Sequence, residues 1–199
     1  NMIKAILFDL DGVLVDACDW HYHSLNDALL HYVGFTISYK EHKDRFNGLP
    51  TSVKLKMLQI NSNLHDDIWS MKQERTLYNI EKYGMIDKYK IKMHKNLISE
   101  GYTLACVTNS IKKTAIEMLK ITGQEEFMSL LVSNEDVKNN KPHPDCYLYA
   151  MNKLSTSPEE TLIIEDSPKG KQAALATGCS LLEVEDVYDV TLDKIRRFL

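Results

Sequence analysis

Residues 5–16 read AILFDLDGVLVD, a short apolar run followed by two aspartates and a glycine. The run at 5–8 is continuous rather than alternating, which is typical of a strand buried on both faces of a parallel sheet. Asp9 and Asp11 follow directly, and Gly12 permits the unusual backbone turn that a loop at the strand end requires. The segment therefore predicts a buried first strand with two carboxylates at its carboxyl end.

Similar apolar runs return later in the chain and alternate with segments of helical periodicity. The further strand candidates are residues 104–107, 130–132, 162–164 and 181–184, and the helix candidates are residues 112–121, 145–154 and 169–176. In the helix candidates, apolar residues recur at intervals of three or four. This alternation predicts an α/β fold, a doubly wound parallel sheet with helices on both faces.

Residues 16–83 interrupt the alternation, because they contain no strand-like run and have helical periodicity throughout. The sequence therefore predicts two domains. An α/β core is expected from residues 2–15 and 84–199, and an all-helical cap from residues 16–83, inserted after the first strand.

Composition and charge exclude several classes of function. Of the 199 residues, 44% are hydrophobic and 26% charged, as in globular proteins with a core. A formal net charge of −4 without a long Lys/Arg run argues against nucleic-acid binding. The apolar segments are too short for a membrane span or a signal peptide, and the four cysteines form no CxxC pair. We expect a cytoplasmic monomer with neither a membrane nor a nucleic-acid partner.

Asp9 and Asp11 could carry out phosphoryl transfer if both reach one pocket. Two nearby carboxylates repel each other, so one stays ionised while the other is protonated more readily. The ionised group can attack phosphorus, and the protonated group can donate to the leaving oxygen. A solvated acidic turn explains a D-x-D pair equally well, so this motif alone leaves both interpretations open.

Further polar groups follow later strand candidates. Thr108 and Asn109 come after the second strand candidate, and Glu165 and Asp166 follow the run at 162–164. Lys141 lies in the stretch NNKPHPD, braced by Pro142 and Pro144. Each feature has an ordinary explanation, namely a helix N-cap or a surface turn. Ligands bind at the carboxyl edge of open parallel sheets, however, so the joint occurrence favours one common site.

A cation would balance the acidic side chains of this site. Carboxylates directly after a buried strand need compensation by a cation or by hydrogen-bond donors. Mg²⁺ prefers a few carboxylates together with water and substrate oxygens, which matches Asp9, the backbone carbonyl of Asp11, and Asp166. The sequence therefore predicts a Mg²⁺ site.

Four motifs now stand in order: FDLDG at 8–12, TNS at 108–110, KP at 141–142 and ED at 165–166. They resemble the four ordered motifs of the haloacid dehalogenase-like superfamily. The helical insert resembles the cap of its β-phosphoglucomutase-like and phosphoglycolate-phosphatase-like branch. The resemblance covers nearly the whole chain and implies a Rossmann-like core with a helical cap.

The resemblance also implies roles for individual residues. By position, Asp9 is expected to be the nucleophile that forms an aspartyl phosphate, and Asp11 the general acid and base. Thr108 and Asn109 would hold the transferred phosphoryl group, and Lys141 would steady its charge.

For the metal, the resemblance implies ligation of Mg²⁺ by Asp9, the carbonyl of Asp11, and Asp166, with Glu165 in or next to the coordination shell. Haloacid dehalogenases proper lack the second aspartate of the first motif. Asp11 therefore argues against dehalogenation and for protonation of a leaving alcohol.

The cap is expected to recognise the substrate. His21 matches a cap histidine of β-phosphoglucomutase, and Gly48 and Thr51 lie in the expected specificity loop, NGLPTS at 47–52. The mutase has an arginine where this chain has Thr51. We therefore expect a phosphatase of a small phosphorylated metabolite, such as a sugar phosphate. A phosphomutase is the first alternative, and a non-catalytic metabolite sensor, against which the intact motifs argue, is the second.

The histidines do not suggest a metal site. His21 and His23 lie two residues apart, so on a helix they point to different faces and form no chelating pair. Five others are expected at the surface or at helix ends: His31, His42, His65, His94 and His143.

Overall fold

The computed structural model describes residues 2–199, and within them five strands form one parallel sheet in the order β3-β2-β1-β4-β5. The strands are β1 (Ala5–Phe8), β2 (Thr103–Val107), β3 (Leu130–Val132), β4 (Thr161–Glu165) and β5 (Ser180–Glu183). The predicted α/β fold with a doubly wound parallel sheet is confirmed. Every strand bound lies within one residue of its predicted position.

Helices fill most of the remaining chain. Those of the insert are α1 (Cys18–Val33), α2 (Tyr39–Glu41), which continues into a π-helical turn (His42–Phe46), α3 (Thr51–Met57) and α4 (His65–Tyr83). The later ones are α5 (Lys88–Ser99), α6 (Lys112–Ile121), α7 (Asp145–Leu154), α8 (Pro168–Leu175) and α9 (Leu192–Arg196). None of the helices found between residues 2 and 199 combines the length and the apolar character needed to cross a bilayer.

The chain divides into two compact units, residues 2–16 with 85–199 and residues 17–84. We call them the α/β unit and the helical unit. In the helical unit, α1 packs against α4. Its apolar core consists of Leu25, Ala28, Leu29, Ile37, Phe46, Leu55, Ile60 and Ile68.

Strand β1 is the centre of the sheet, and all four of its side chains are fully buried. It pairs with β2 on one side and β4 on the other, so that Phe8 aligns with Cys106 and Ile164. The N–H of Asp9 still donates to the carbonyl of Ile164 at 3.1 Å. The chain therefore leaves the sheet at Asp9, and the residues that follow lie at the carboxyl edge of the sheet.

Two of the five histidines expected at the surface or at helix ends, His42 and His94, are buried. His42 lies where α2 ends, as one of the two expectations allowed, but the expectation is wrong for His94, which lies inside α5. His94 lies in α5 on the same buried face as Met93 and Leu97. His94 lies three residues, about one helical turn, before Leu97, which is the interval at which residues recur on one face of a helix. The histidine is therefore buried together with that face.

A buried hydrogen-bond network surrounds His94. Its Nε2 lies 2.8 Å from Oε1 of Gln124, whose amide nitrogen donates to the carbonyl of Leu14 at 2.9 Å. Since Oε1 only accepts, Nε2 of the histidine carries the proton. Burial is the main cause that lowers the pKa of His94, from 6.5 to about 4.

We predict that His94 contributes to loss of stability at acid pH. Between about pH 6.5 and pH 4 the ring is neutral in the folded chain and protonated in the unfolded chain. The unfolded state therefore binds more protons, and the free energy of unfolding falls as the pH falls. In His94→Gln, up to about 3 kcal/mol of this pH dependence should disappear. Urea unfolding at neutral pH and at about pH 4.5 measures the difference.

The control is His31→Gln at an exposed position, which should unfold with the pH dependence of the wild type. If His94→Gln and the wild type lose stability in parallel between the two pH values, the account of His94 is wrong.

Candidate active site

The loop after β1 is a tight turn built around one carbonyl. The oxygen of Leu10 accepts the N–H groups of residues 13–15 at 3.3, 2.9 and 3.0 Å, and the N–H of Gly12 donates to Val15 at 2.8 Å. Gly12 has φ of 83°, in the left-handed region that favours glycine. These hydrogen bonds make the chain turn directly after Asp9 and Asp11.

Lys141 is the centre of the buried ion pairs. Its ammonium group donates to Asp9 Oδ1 at 2.9 Å, to Glu165 Oε1 at 2.6 Å and to the carbonyl of Val107 at 2.8 Å. Burial alone would lower the pKa of Lys141, but the carboxylates of Asp9 and Glu165 outweigh it and hold that pKa well above its ordinary value. The charged lysine therefore fixes the Asp9 side chain.

Glu165 is fully enclosed by its neighbours. The hydroxyl of Tyr147 also donates to Glu165 Oε1, and the Tyr147 ring lies 4.9 Å from the ammonium of Lys141. A Cβ atom on Gly170 would come within 2.1 Å of the Glu165 carboxyl group, so α8 has room only for glycine there. These contacts allow the glutamate one position.

The acidic side chains fit a divalent cation. Oxygens of Asp9, Glu165 and Asp166 lie within 4.8 Å of one another, and a Cβ on Gly12 would meet Asp166 Oδ2 at 2.0 Å. Burial, followed by the charges of neighbouring carboxylates, raises the pKa of both Glu165 and Asp166. Glu165 Oε2 and Asp166 Oδ1 are buried without a hydrogen-bond partner among residues 2–199. Mg²⁺ satisfies such oxygens.

The loop after β2 makes hydrogen bonds both to the backbone of Lys141 and to the carboxyl group of Asp11. Asn109 Oδ1 accepts the N–H of Lys141 at 3.1 Å, and its amide donates to the carbonyl of Lys141 at 3.4 Å. Thr108 Oγ1 accepts the N–H of Ser110 at 3.0 Å, and Ser110 Oγ donates to Asp11 Oδ2 at 3.3 Å. The loop thus orients the backbone at Lys141 and the carboxyl group of Asp11.

Seven predicted site residues meet in the α/β unit through these contacts. They are Asp9, Asp11, Thr108, Asn109, Lys141, Glu165 and Asp166. Their catalytic and binding roles stay predictions. The interpretation of the sequence missed Ser110 as a partner of Asp11, although Ser110 belongs to the TNS motif. It also missed Tyr147, because only the position of α7 shows that this tyrosine faces Glu165.

The other three predicted residues, His21, Gly48 and Thr51, lie in the helical unit. Lys72 Nζ lies 3.0 Å from His21 Nδ1. Since an ammonium group only donates, Nδ1 accepts, and a neutral His21 ring carries its proton on Nε2. Gly48 has φ of 82°, and Thr51 is buried at the start of α3. Their role in substrate binding stays a prediction.

Comparison with known proteins identifies the family. The sequence model of the haloacid dehalogenase-like hydrolases matches residues 6–184. The chain belongs to this family. The pyrophosphatase PpaX of Bacillus pumilus is 31% identical over 169 residues, which cover 84% of this chain and 76% of that protein. The phosphorylated carbohydrates phosphatase of Thermotoga maritima is 26% identical over 194 residues, covering 94% of this chain and 85% of that protein.

Solved structures of haloacid dehalogenase-like proteins share the fold. The β-phosphoglucomutase of Clostridium difficile superposes with a TM-score of 0.85 over 98% of this chain and 96% of its own, at 21% identity. The predicted superfamily is confirmed, and so is the prediction of an enzyme of the phosphatase type, a hydrolase of phosphorylated substrates.

We predict that Gly170→Ala destabilises the protein and impairs the site. In most helix interiors this change stabilises by about 1 kcal/mol. Here the new methyl group must displace the Glu165 carboxyl group and, through it, Lys141, so we expect a loss of about 1–3 kcal/mol. Phosphate release from p-nitrophenyl phosphate should fall at least about tenfold, because the site is misaligned. Thermal unfolding and initial rates measure the two effects.

Lys169→Ala, the adjacent exposed position in α8, is the matched control and should change neither quantity. A Gly170→Ala variant that is more stable than the wild type and fully active would contradict the packing described for Glu165.

Proposed function

We propose that the protein is a Mg²⁺-dependent phosphatase that hydrolyses a small phosphorylated metabolite, such as a sugar phosphate, through an aspartyl phosphate on Asp9. The observation that carries this proposal is the buried ion pair between Lys141 and Asp9, at 2.9 Å, beside the carboxyl groups of Glu165 and Asp166. A nucleophile held by a lysine next to a cation-binding cluster suits attack on an anionic phosphoryl group.

The charges at the site support the need for a cation. Four carboxyl groups, of Asp9, Asp11, Glu165 and Asp166, lie around the ammonium group of Lys141 or in contact with the same loops. Asp9, the carbonyl of Asp11, and Asp166 would hold Mg²⁺, with Glu165 in or next to its coordination shell. When bound, the ion would supply positive charge against the carboxylates and the phosphoryl oxygens.

The side chains then divide the reaction into two steps. The Asp9 carboxylate attacks phosphorus, the bond to the leaving oxygen breaks, and Asp11 donates its proton to that oxygen. Asp11 next takes a proton from water, which attacks the acyl phosphate and releases inorganic phosphate and free Asp9. Thr108 and Asn109 hold the phosphoryl oxygens during both steps, and Lys141 keeps Asp9 in place.

The names of the relatives guide the choice of substrates. Pyrophosphatase and phosphorylated carbohydrates phosphatase are both activities on small phosphorylated molecules. A substrate panel should therefore contain sugar phosphates and pyrophosphate. We further propose that the enzyme works as a cytoplasmic monomer.

A phosphomutase is the second candidate, because the fold also matches a β-phosphoglucomutase. Thr51, where the mutase has an arginine, favours hydrolysis instead. Phosphorus NMR with β-glucose 1-phosphate and Mg²⁺ separates the two: a phosphatase yields free phosphate and glucose. Accumulation of glucose 6-phosphate without free phosphate would establish the mutase.

We predict that Asp9→Asn abolishes turnover while the fold is kept. The amide is a far weaker nucleophile than the carboxylate, so phosphate release should fall at least about a thousandfold. The assay is Mg²⁺-dependent phosphate release on the best substrate of the panel, with circular dichroism to verify folding. Asp193→Asn, at an exposed position in α9, controls for the loss of one negative charge. Turnover retained by Asp9→Asn would refute the assignment of the nucleophile.

A further inference from the structure

Tyr147 carries a hydroxyl group from the apolar core of the α/β unit to its acidic site. The residue lies in α7, is fully buried and packs in a core cluster with Val107 and Ile163. Its hydroxyl donates to Glu165 Oε1. Burial raises the pKa of the Tyr147 hydroxyl well above its ordinary value, so the group keeps its proton and stays a donor. The core therefore holds this donor in one place beside the carboxyl groups.

The two oxygens of the Glu165 carboxyl group have different surroundings. Oε1 accepts from Lys141 Nζ at 2.6 Å and from the Tyr147 hydroxyl. Oε2 is buried and has no hydrogen-bond partner among residues 2–199. A carboxylate oxygen has about two lone-pair sites, so the two donors occupy both sites of Oε1 and leave those of Oε2 open. Glu165 can therefore offer a cation one oxygen rather than two.

The number of oxygens that a carboxylate offers distinguishes Mg²⁺ from Ca²⁺. Mg²⁺ requires near-ideal octahedral geometry with oxygens at about 2.0–2.1 Å, whereas Ca²⁺ takes about six to eight oxygens at about 2.3–2.6 Å and can take both from one carboxylate. Gly170 lies against the Glu165 carboxyl group, since a Cβ there would come within 2.1 Å of Oε2. The carboxyl group thus has little room to rotate, and a glutamate limited to Oε2 fits the smaller ion.

We propose that Tyr147 is a positioning residue that restricts Glu165 to one metal-binding oxygen, Oε2, and thereby makes the site select Mg²⁺ over Ca²⁺. The inference rests on the proposed function for the presence of a divalent cation beside Asp9, Glu165 and Asp166. Lys141 contributes to the same restriction, but it also holds Asp9. Tyr147 is therefore the residue whose effect on Glu165 can be removed without releasing the nucleophile.

Thermal unfolding of Tyr147→Phe, titrated separately with MgCl₂ and CaCl₂ at constant ionic strength and without substrate, tests the inference. Each ion raises the unfolding temperature according to its affinity, so the two titrations give a Kd for each ion. Loss of the hydroxyl opens one lone-pair site of Oε1 to the larger ion. The ratio of the Kd for Ca²⁺ to the Kd for Mg²⁺ should therefore fall at least about tenfold relative to the wild type.

The ratio is a specific measure, because a change in the protonation of the carboxyl groups or in overall stability affects both ions alike. Tyr149→Phe removes a hydroxyl two residues later in α7 and should keep the wild-type ratio. Tyr147→Met also lacks the hydroxyl and should lower the ratio as Tyr147→Phe does. It takes the place of Tyr147→Phe if that variant fails to fold by circular dichroism.

Equal weakening of both ions in Tyr147→Phe would show a merely structural role and overturn the inference. An unchanged ratio would overturn it as well. Phosphate release by the wild type with Mg²⁺ is a separate measurement. A ratio that falls in Tyr147→Phe, together with a wild type that releases no phosphate, would refute the proposed phosphatase and leave the selection of the ion standing. Phosphate release with an unchanged ratio would refute the inference alone.

Discussion

The acidic site of the α/β unit depends on the ion pairs that the ammonium group of Lys141 forms with Asp9 and Glu165. Without this ammonium group, the carboxyl groups of Asp9 and Glu165 would face each other in buried surroundings, where water screens their repulsion poorly. Asn109 fixes the lysine by its backbone, and Tyr147 shares the same oxygen of Glu165. The neighbouring groups thus either position the ammonium group, as Asn109 does, or are held by it, as Asp9 and Glu165 are.

The fold explains why these groups meet. Parallel strands end at one edge, and the central strand β1 delivers Asp9 there between the strands that lead to Thr108 and Glu165. One lysine is enough to hold the nucleophile, but it does not neutralise the cluster. A phosphorylated substrate would therefore need further positive charge, which the proposed Mg²⁺ would supply.

Much of this arrangement could be predicted from the sequence. The continuous apolar run of β1 is typical of a strand buried on both faces, and the motifs that follow the ends of parallel strands lie at one edge of the sheet. Other features required coordinates. Tyr147 faces Glu165 only because of how α7 docks, and Gly170 is needed only because Glu165 occupies the space beside it. The burial of Lys54 could not be predicted either, because a lysine on a short helix is ordinarily exposed.

Covalent catalysis by Asp9 is the central claim, and trapping the intermediate tests it most directly. Rapid quenching during turnover, followed by borohydride, reduces an aspartyl phosphate to homoserine, and peptide mass spectrometry locates the change. The account predicts homoserine at position 9, formed only when substrate and Mg²⁺ are both present. Steady turnover with Asp9 unmodified, or homoserine at another aspartate, would contradict it.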